Sequence, residues 1–528
     1  MTPRHQIRAW PLLLALVAPP LCAALDGPGA RAEQPETQVQ LDQRRLAHSA
    51  PVIEQIGPLA VPDTGRTKAN ADASAPSPTA AASLPDDMSD HLLGGLWGAR
   101  HWMARQGIML DVHEVDELWA NTTGGSASAA DGHNGSGTGP YYDGVTLVTL
   151  GLDLEKIIGL RGGLFNISAL QTHGRSISQD HLVLFNPVSG YEADRSTRLF
   201  ELWYQQSFLD NTLDIKIGQQ DLDTEFLISN YGALYLNANM GWPVAPSNNL
   251  YSGGPSWPLA APAIRVRYRP SDSLSILLAA SDDNPAGVRY NAFFVQHGGN
   301  TADPTSQTTL DGSGTLFNMN TGALLMAELQ YAINPGPGRA GLPGIYKLGG
   351  YYDTADFPDY RYNTSGIPLG SARDTTSSPR MVAGNWLVYA VVDQMLWRPA
   401  PDSARSIGAF ARVTGSGPSI STQISFAVDM GINFNAPFRS RLNDTLGLGW
   451  GLGEAASGLR QYDRNAHLPV QNTETYLELT YQAQLQPWCT LQPDFQYIFN
   501  PSGGVLDWSR HHTVQNEAIF GLRSSITF

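Results

Sequence analysis

From Gly107 to the end of the chain, apolar residues recur at every second position. In Thr473–Leu485, Leu477, Leu479, Tyr481, Ala483 and Leu485 share one face, and Glu478, Thr480, Gln482 and Gln484 share the other. Asp429 faces away from Ile424, Phe426, Val428, Met430 and Ile432. Leu446, Leu448, Trp450 and Leu452 alternate with Gly447, Gly449, Gly451 and Gly453. The last residues do the same, with Phe520, Leu522, Ser524, Ile526 and Phe528 against Gly521, Arg523, Ser525 and Thr527. A period of two places successive side chains on opposite faces of a strand. Segments of about ten residues carrying this repeat are the signature of a barrel that crosses a membrane.

A soluble sandwich also alternates, so the spacing of the segments decides. Sixteen candidate strands can be placed, the first near 107–120 and the last near 515–528. Connections after odd-numbered strands are long: 121–142, 172–197, 221–262, 282–320, 354–383, 454–472 and 499–514, with 414–421 as the exception. Connections after even-numbered strands are mostly turns, such as 209–212, 270–272 and 486–487. The pattern predicts an all-β fold, a transmembrane antiparallel β-barrel of about 16 strands. Long extracellular loops and short periplasmic turns follow, with both termini periplasmic. Sixteen strands enclose an aqueous lumen instead of a filled interior.

The period is different before Gly107. Arg4, His5 and Arg8 precede an apolar stretch from Leu12 to Leu25, and Ala30-Arg31-Ala32 offers a small-residue cleavage site. Residues 1–32 are therefore expected to be an export signal, with Cys22-Ala23-Ala24 as an earlier cleavage alternative. Residues 33–88, rich in Ala, Pro, Ser and Gln, are expected to be a linker. In 89–106, Leu92, Leu93, Leu96, Trp97 and Met103 stand near helical spacing and predict one short amphipathic helix. The run Trp10–Leu25 is too short for a spanning helix, which needs about 20 residues.

Composition narrows the chemistry. Acidic residues exceed basic ones by 48 − 33 = 15, and no basic block is present, which argues against a nucleic-acid partner. Two Cys cannot build a disulfide framework, and no zinc spacing occurs. GxSxG, HExxH and the P-loop are missing from the sequence, so no catalytic residue, cofactor or metal is assigned. His511 and His512 are adjacent and would point to opposite faces of a strand, which is wrong for a shared ion.

Several stretches resemble the carbohydrate-selective porin family (OprB type) of Gram-negative outer membranes. They are GLDLEKIIGLRGGLFNISALQTHGRSIS (151–178), TRLFELWYQQSFLDNTLDIKIGQQDLDTEFLISN (197–230), GWP (241–243), YAVVDQMLWRPA (389–400), NDTLGLGWGLG (443–453) and ETYLELTYQAQLQPWCTLQPDFQYIFNP (474–501). The likeness spans roughly residues 90–528. It implies a passive channel biased toward small sugars such as glucose, working as a monomer or porin-like oligomer in outer-membrane lipid. It also implies that the terminal Phe528 is an assembly signal for the barrel-assembly machinery. A general porin without sugar preference, or a structural or adhesive barrel, are the alternatives.

A sugar ring has apolar C–H faces and a fringe of hydroxyls, so its site needs an aromatic platform beside charged or amide groups. If Ile264, Val266 and Tyr268 face lipid, Arg265, Arg267 and Arg269 form a basic ladder in the lumen. The opposite assignment would cost ~2–4 kcal/mol for each arginine near the midplane. With Phe200, Leu202 and Tyr204 outward, Glu201, Trp203 and Gln205 turn inward, and so do Asp214 and Lys216. Arg412 shares the face opposite Ile407, Ala409 and Ala411. The long connection 221–262 is expected to fold inward or lie across the mouth, making Trp242 a second platform. In 384–397, Asp393 and Gln394 are adjacent, and alternation cannot say which faces inward.

Overall fold

A computed structural model describes residues 90–126, 139–286, 311–319, 321–335, 341–375, 378–401, 403–507 and 512–528. The expected signal and linker, and His511, lie outside them. Strands β1 (Ile108–Thr123), β2 (Gly139–Asp153), β3 (Gly163–Gly174), β4 (Ser196–Phe208) and β5 (Leu213–Gln220) come first. Next are β6 (Ala261–Tyr268), β7 (Leu274–Asp282), β8 (Ala323–Ile333), β9 (Gly344–Asn363), β10 (Pro379–Trp397) and β11 (Ser406–Gly417). The last are β12 (Ile424–Asn435), β13 (Thr445–Ala455), β14 (Thr473–Gln486), β15 (Cys489–Phe499) and β16 (Glu517–Thr527). Each pairs antiparallel with its sequence neighbours, and β1 pairs with β16 from His113↔Thr527 to Thr123↔Ala518. The barrel is closed and has no free edge. Closure is what lets strands cross lipid, because every ladder donor and acceptor finds a partner.

The alternation has the expected sense. On β14, Leu477 and Leu479 are exposed on the outer wall while Tyr476, Glu478 and Thr480 are buried inside. Leu348 and Leu448 also lie bare on the exterior. Apolar exposure on this scale fits a lipid solvent, not water. The glycine row of β13 has a steric cause. A Cβ at Gly447 would meet Leu234 at 2.6 Å, and one at Gly449 would meet Met240 at 2.7 Å. The wall is thinned there to admit a loop.

Three features depart from simple alternation. β9 and β10 run into the expected connection 354–383, pairing as far as Asn363↔Pro379 through two register shifts. Their extra residues mix Asp, Pro and Tyr, and the dyad pattern fades where pairing alone holds them. On β4 the register slips between Ile167↔Leu202 and Ala169↔Leu199. This bulge buries Phe200 beside Glu201, so the expectation that Phe200 faces lipid is corrected. Finally, Ala99–Arg105 forms the helix α1, shorter than 89–106 because Gly98 enters it in the left-handed region. From α1 the buried Arg100 donates to Leu110 O at 3.0 Å and to the backbone oxygen of Phe528, across the β1–β16 seam. Phe528 N in turn donates to Val112 O at 2.9 Å.

Candidate solute passage

Two loops from the long-loop rim occupy the lumen. Residues 221–260 leave β5 and return to β6, yet they bond to β8, β10, β11, β14 and β15 on distant parts of the wall. Only a path through the interior reaches those strands. Residues 175–195, between β3 and β4, fold in from the same rim, burying Ile177, Leu182 and Val188 against Trp119, Ile498 and Ile519. The loops meet each other: Gly190 N donates to Leu236 O at 3.0 Å, and Ala238 N to Pro187 O at 3.2 Å.

A buried loop carries backbone polar groups that need partners. The inward side chains of the wall supply them. Glu328 accepts from Leu227 N at 3.0 Å, and Asp393 accepts from Ser229 Oγ at 2.6 Å and Asn230 N at 3.1 Å. Glu478 accepts from Leu236 N at 2.5 Å, and Gln492 donates to Leu234 O at 2.7 Å. The ambiguity at 393–394 resolves here. Asp393 turns inward to the loop, and Gln394 accepts from the Tyr346 hydroxyl at 2.8 Å near the short-turn rim. Arg412, fully buried, donates to Leu227 O at 2.9 Å, Gly241 O at 2.8 Å and Asn239 O, and pairs with Asp429 at 3.0 Å.

The basic ladder faces inward and is engaged. Arg265, buried, pairs with Glu225 at 2.7 Å and with Asp214, and donates to Gln205 at 2.9 Å. Lys216 pairs with Glu225 at 2.5 Å and sits 5.0 Å above the Trp203 ring. Arg267 reaches Asp214 at 3.0 Å, and the more exposed Arg269 approaches it at 3.8 Å while donating to Asn211 O at 2.8 Å. Glu201 accepts from Asp221 N at 3.3 Å and from Asn166 Nδ2 at 3.5 Å. Lys216, Arg265, Trp203 and Glu201 thus brace the root of the loop. Trp242 is buried inside it, its Nε1 donating to Gly253 O at 2.8 Å.

Between the two loops lies a cavity of about 120 Å³, whose wall includes Tyr191, Glu192, Asp223, Trp242, Trp257 and Arg523. Trp257 packs edge-on against Tyr191 at 5.5 Å and Phe200 at 5.6 Å. Its Nε1 is buried with no hydrogen-bond acceptor among the described residues. Asp223 accepts from Trp257 N at 3.0 Å. Arg523, from β16, stacks over Tyr191 at 4.5 Å, pairs with Glu117 at 2.5 Å and donates to Ser189 at 3.1 Å. Of the pore-lining candidates named from sequence, only Trp242 lines this cavity. Tyr191, Glu192 and Arg523 were missed, although a connection as long as 172–197 carries the same inward-folding signal as 221–262.

Two loop carboxylates differ sharply in charge. Burial pushes Glu225 up, but Lys216, Arg265 and Arg267 outweigh it and hold its carboxyl at about 2. Glu192 is pushed up to about 7 by burial, against hydrogen bonds from Ser176 and Ser178 and with Glu117 adding to the rise. A raised value means the neutral form is favoured in the fold. Glu192 therefore supports the loop fully below about pH 4.3, and that support is lost as pH rises to about 7. Above that the cavity gains a negative charge. Cation selectivity of the current is expected to increase between pH 6 and 8. Glu192→Gln should flatten this step; an identical pH profile in the variant would assign the step elsewhere.

A closed wall of sixteen antiparallel strands, apolar outside and polar within and narrowed by inward loops, defines a porin of the outer-membrane type. The chain belongs to the carbohydrate-selective porin, OprB family, whose model matches residues 138–528. It is 27% identical over 462 residues to Porin B of Pseudomonas aeruginosa, covering 83% of this chain and 92% of that one. Its fold is similar to the high-pH structure of Pseudomonas putida OprB, with a TM-score of 0.67 at 22% identity. That match covers 84% of this chain and 99% of the other.

Proposed function

We propose that this barrel conducts small sugars by passive diffusion, with the cavity between the two inward loops as its selective station. Support comes chiefly from the cavity wall, where Trp257, Trp242 and Tyr191 stand beside Glu192, Asp223 and Arg523. Aromatic rings suit the C–H faces of a sugar, and charged groups suit paired hydroxyls. Each exchange of water for such a group contributes ~0.5–1.5 kcal/mol, weak enough that the solute leaves again. On this reading the inward-facing Glu201, Trp203, Lys216, Arg265, Arg267, Arg269 and Arg412 act mainly by setting the position of the loop and the field in the lumen. The long-loop rim is extracellular, and both termini are periplasmic.

In planar bilayers, monosaccharides should block the ion current of the wild-type channel in a saturable way. Trp257→Ala should weaken that block about two- to tenfold, the range of a lost aromatic contact. A wild-type current indifferent to every sugar tested would favour a general porin instead. Sugar block that survives Trp257→Ala unchanged would move the station away from this cavity.

A further inference from the structure

The outer wall carries polar groups where the barrel should meet lipid. Glu114 and Asp116 lie on the outward face of β1, in the same row as the exposed Leu118. The register Asp116↔Gly144↔His173 brings His173 of β3 to them across β2. His173 Nε2 lies 3.7 Å from Glu114 Oε1 and 3.6 Å from Asp116 Oδ1. The Tyr142 hydroxyl is 3.0 Å from the same nitrogen and also donates to Asp116. Neighbouring outward residues, Leu118, Val148 and Phe520, are apolar and exposed.

We propose that Glu114, Asp116 and His173 form a divalent transition-metal site on the outer wall, with Zn²⁺ the representative ion. Three observations carry this. His173 Nε2 stands 3.6 and 3.7 Å from the two carboxylate oxygens, close to the separation of about 3.4 Å between ligands of a tetrahedral ion with bonds of about 2.1 Å. The histidine is oriented for it: Nδ1 lies 3.0 Å from Gln171 Oε1, which holds the ring with Nε2 toward the carboxylates, and an ion would take the place of the Nε2 proton. The wall also makes room, because a Cβ at Gly144 would come within 2.6 Å of His173 Nε2. Among the described residues no other group of three His, Cys, Asp or Glu side chains has this closeness. One imidazole with carboxylates favours a borderline ion over Ca²⁺ or Mg²⁺, which take oxygen ligands. The ion would neutralise two carboxylates beside lipid and tie β1 to β3. It lies on the opposite face of the wall from the solute passage.

The test uses the full-length protein in detergent, stripped with EDTA and titrated with Zn²⁺ by calorimetry. One saturable site per chain is expected, with Ca²⁺ not displacing it at equal concentration. His173→Gln and Asp116→Asn should each weaken binding at least tenfold while the protein keeps heat-modifiable migration. No saturable binding by the wild type, or equal binding by wild type and variants, overturns the site. A change confined to oligomeric state, without a change in zinc affinity, also overturns it and makes the patch a subunit contact. Should a variant fail to fold, Co²⁺ added to the wild type decides. An absorption spectrum of bound, nitrogen-ligated cobalt supports the site, and the spectrum of the free aqueous ion rejects it.

Discussion

Arg412→Met should open the channel. The guanidinium ties three loop carbonyls, those of Leu227, Asn239 and Gly241, to Asp429 on β12. Removing it strands a buried carboxylate and leaves those carbonyls without their donor. Breaking one partner of such a pair costs about 3–5 kcal/mol. The strand ladders are untouched, so the wall should still close and migrate as a folded barrel. The cost falls on the loop, which is expected to leave its seat for part of the time. Single-channel conductance should increase, become noisier, and lose most of its sugar block. Protease added from the long-loop side should cut within 221–260. Arg412→Met with Asp429→Leu removes both charges together and should recover part of the narrow conductance. An unchanged current in Arg412→Met would mean that the remaining anchors, Glu328, Asp393 and Glu478, hold the loop unaided.

Arg265→Met should shift the channel toward cations and make it sensitive to acid. Arg265 shares Glu225 with Lys216 and shares Asp214 with Arg267. Its loss leaves the lumen one positive charge poorer, and reversal potentials in a salt gradient should report the change. Glu225 is held near 2, below its ordinary value of about 4.3, so its ionised pairing stabilises the loop above about pH 4.3. That support declines as pH falls below about 4.3 and is lost once pH passes about 2. Without Arg265 the folded value of Glu225 should rise, so the support is smaller and its loss complete at a higher pH, seen as an earlier acid loss of the narrow conductance state. Adding Glu225→Gln to Arg265→Met removes the excess negative charge and should return selectivity close to that of the wild type. If the double variant is as cation-selective as the single one, Glu225 is not the carboxylate that matters.

The sequence by itself determined the wall. Lipid outside and water inside impose a period of two on every crossing segment, and a shift of one residue would turn an entire face the wrong way. Hence the strand number, the long–short rhythm of connections and the inward sense of Glu201, Trp203, Lys216, Arg265 and Arg412 were legible from residue order. The family likeness was legible too, in blocks such as 197–230 and 443–453. The bulge at Phe200 and the extension of β9 and β10 were not, since each arises from pairing between neighbours. The length of 221–262 announced an inward loop, but where it docks was decided by tertiary structure alone. An inward charge looks the same in sequence whether it meets solute or a loop backbone; the fold brings 221–260 across the lumen, and the charges of the wall become its anchors. The cavity draws Tyr191, Trp257 and Arg523 from two loops and the last strand, residues as much as 332 positions apart along the chain (523 − 191 = 332). No local pattern records such a meeting, because the contacts that create it are long-range and the loops have no periodic face to reveal where they dock.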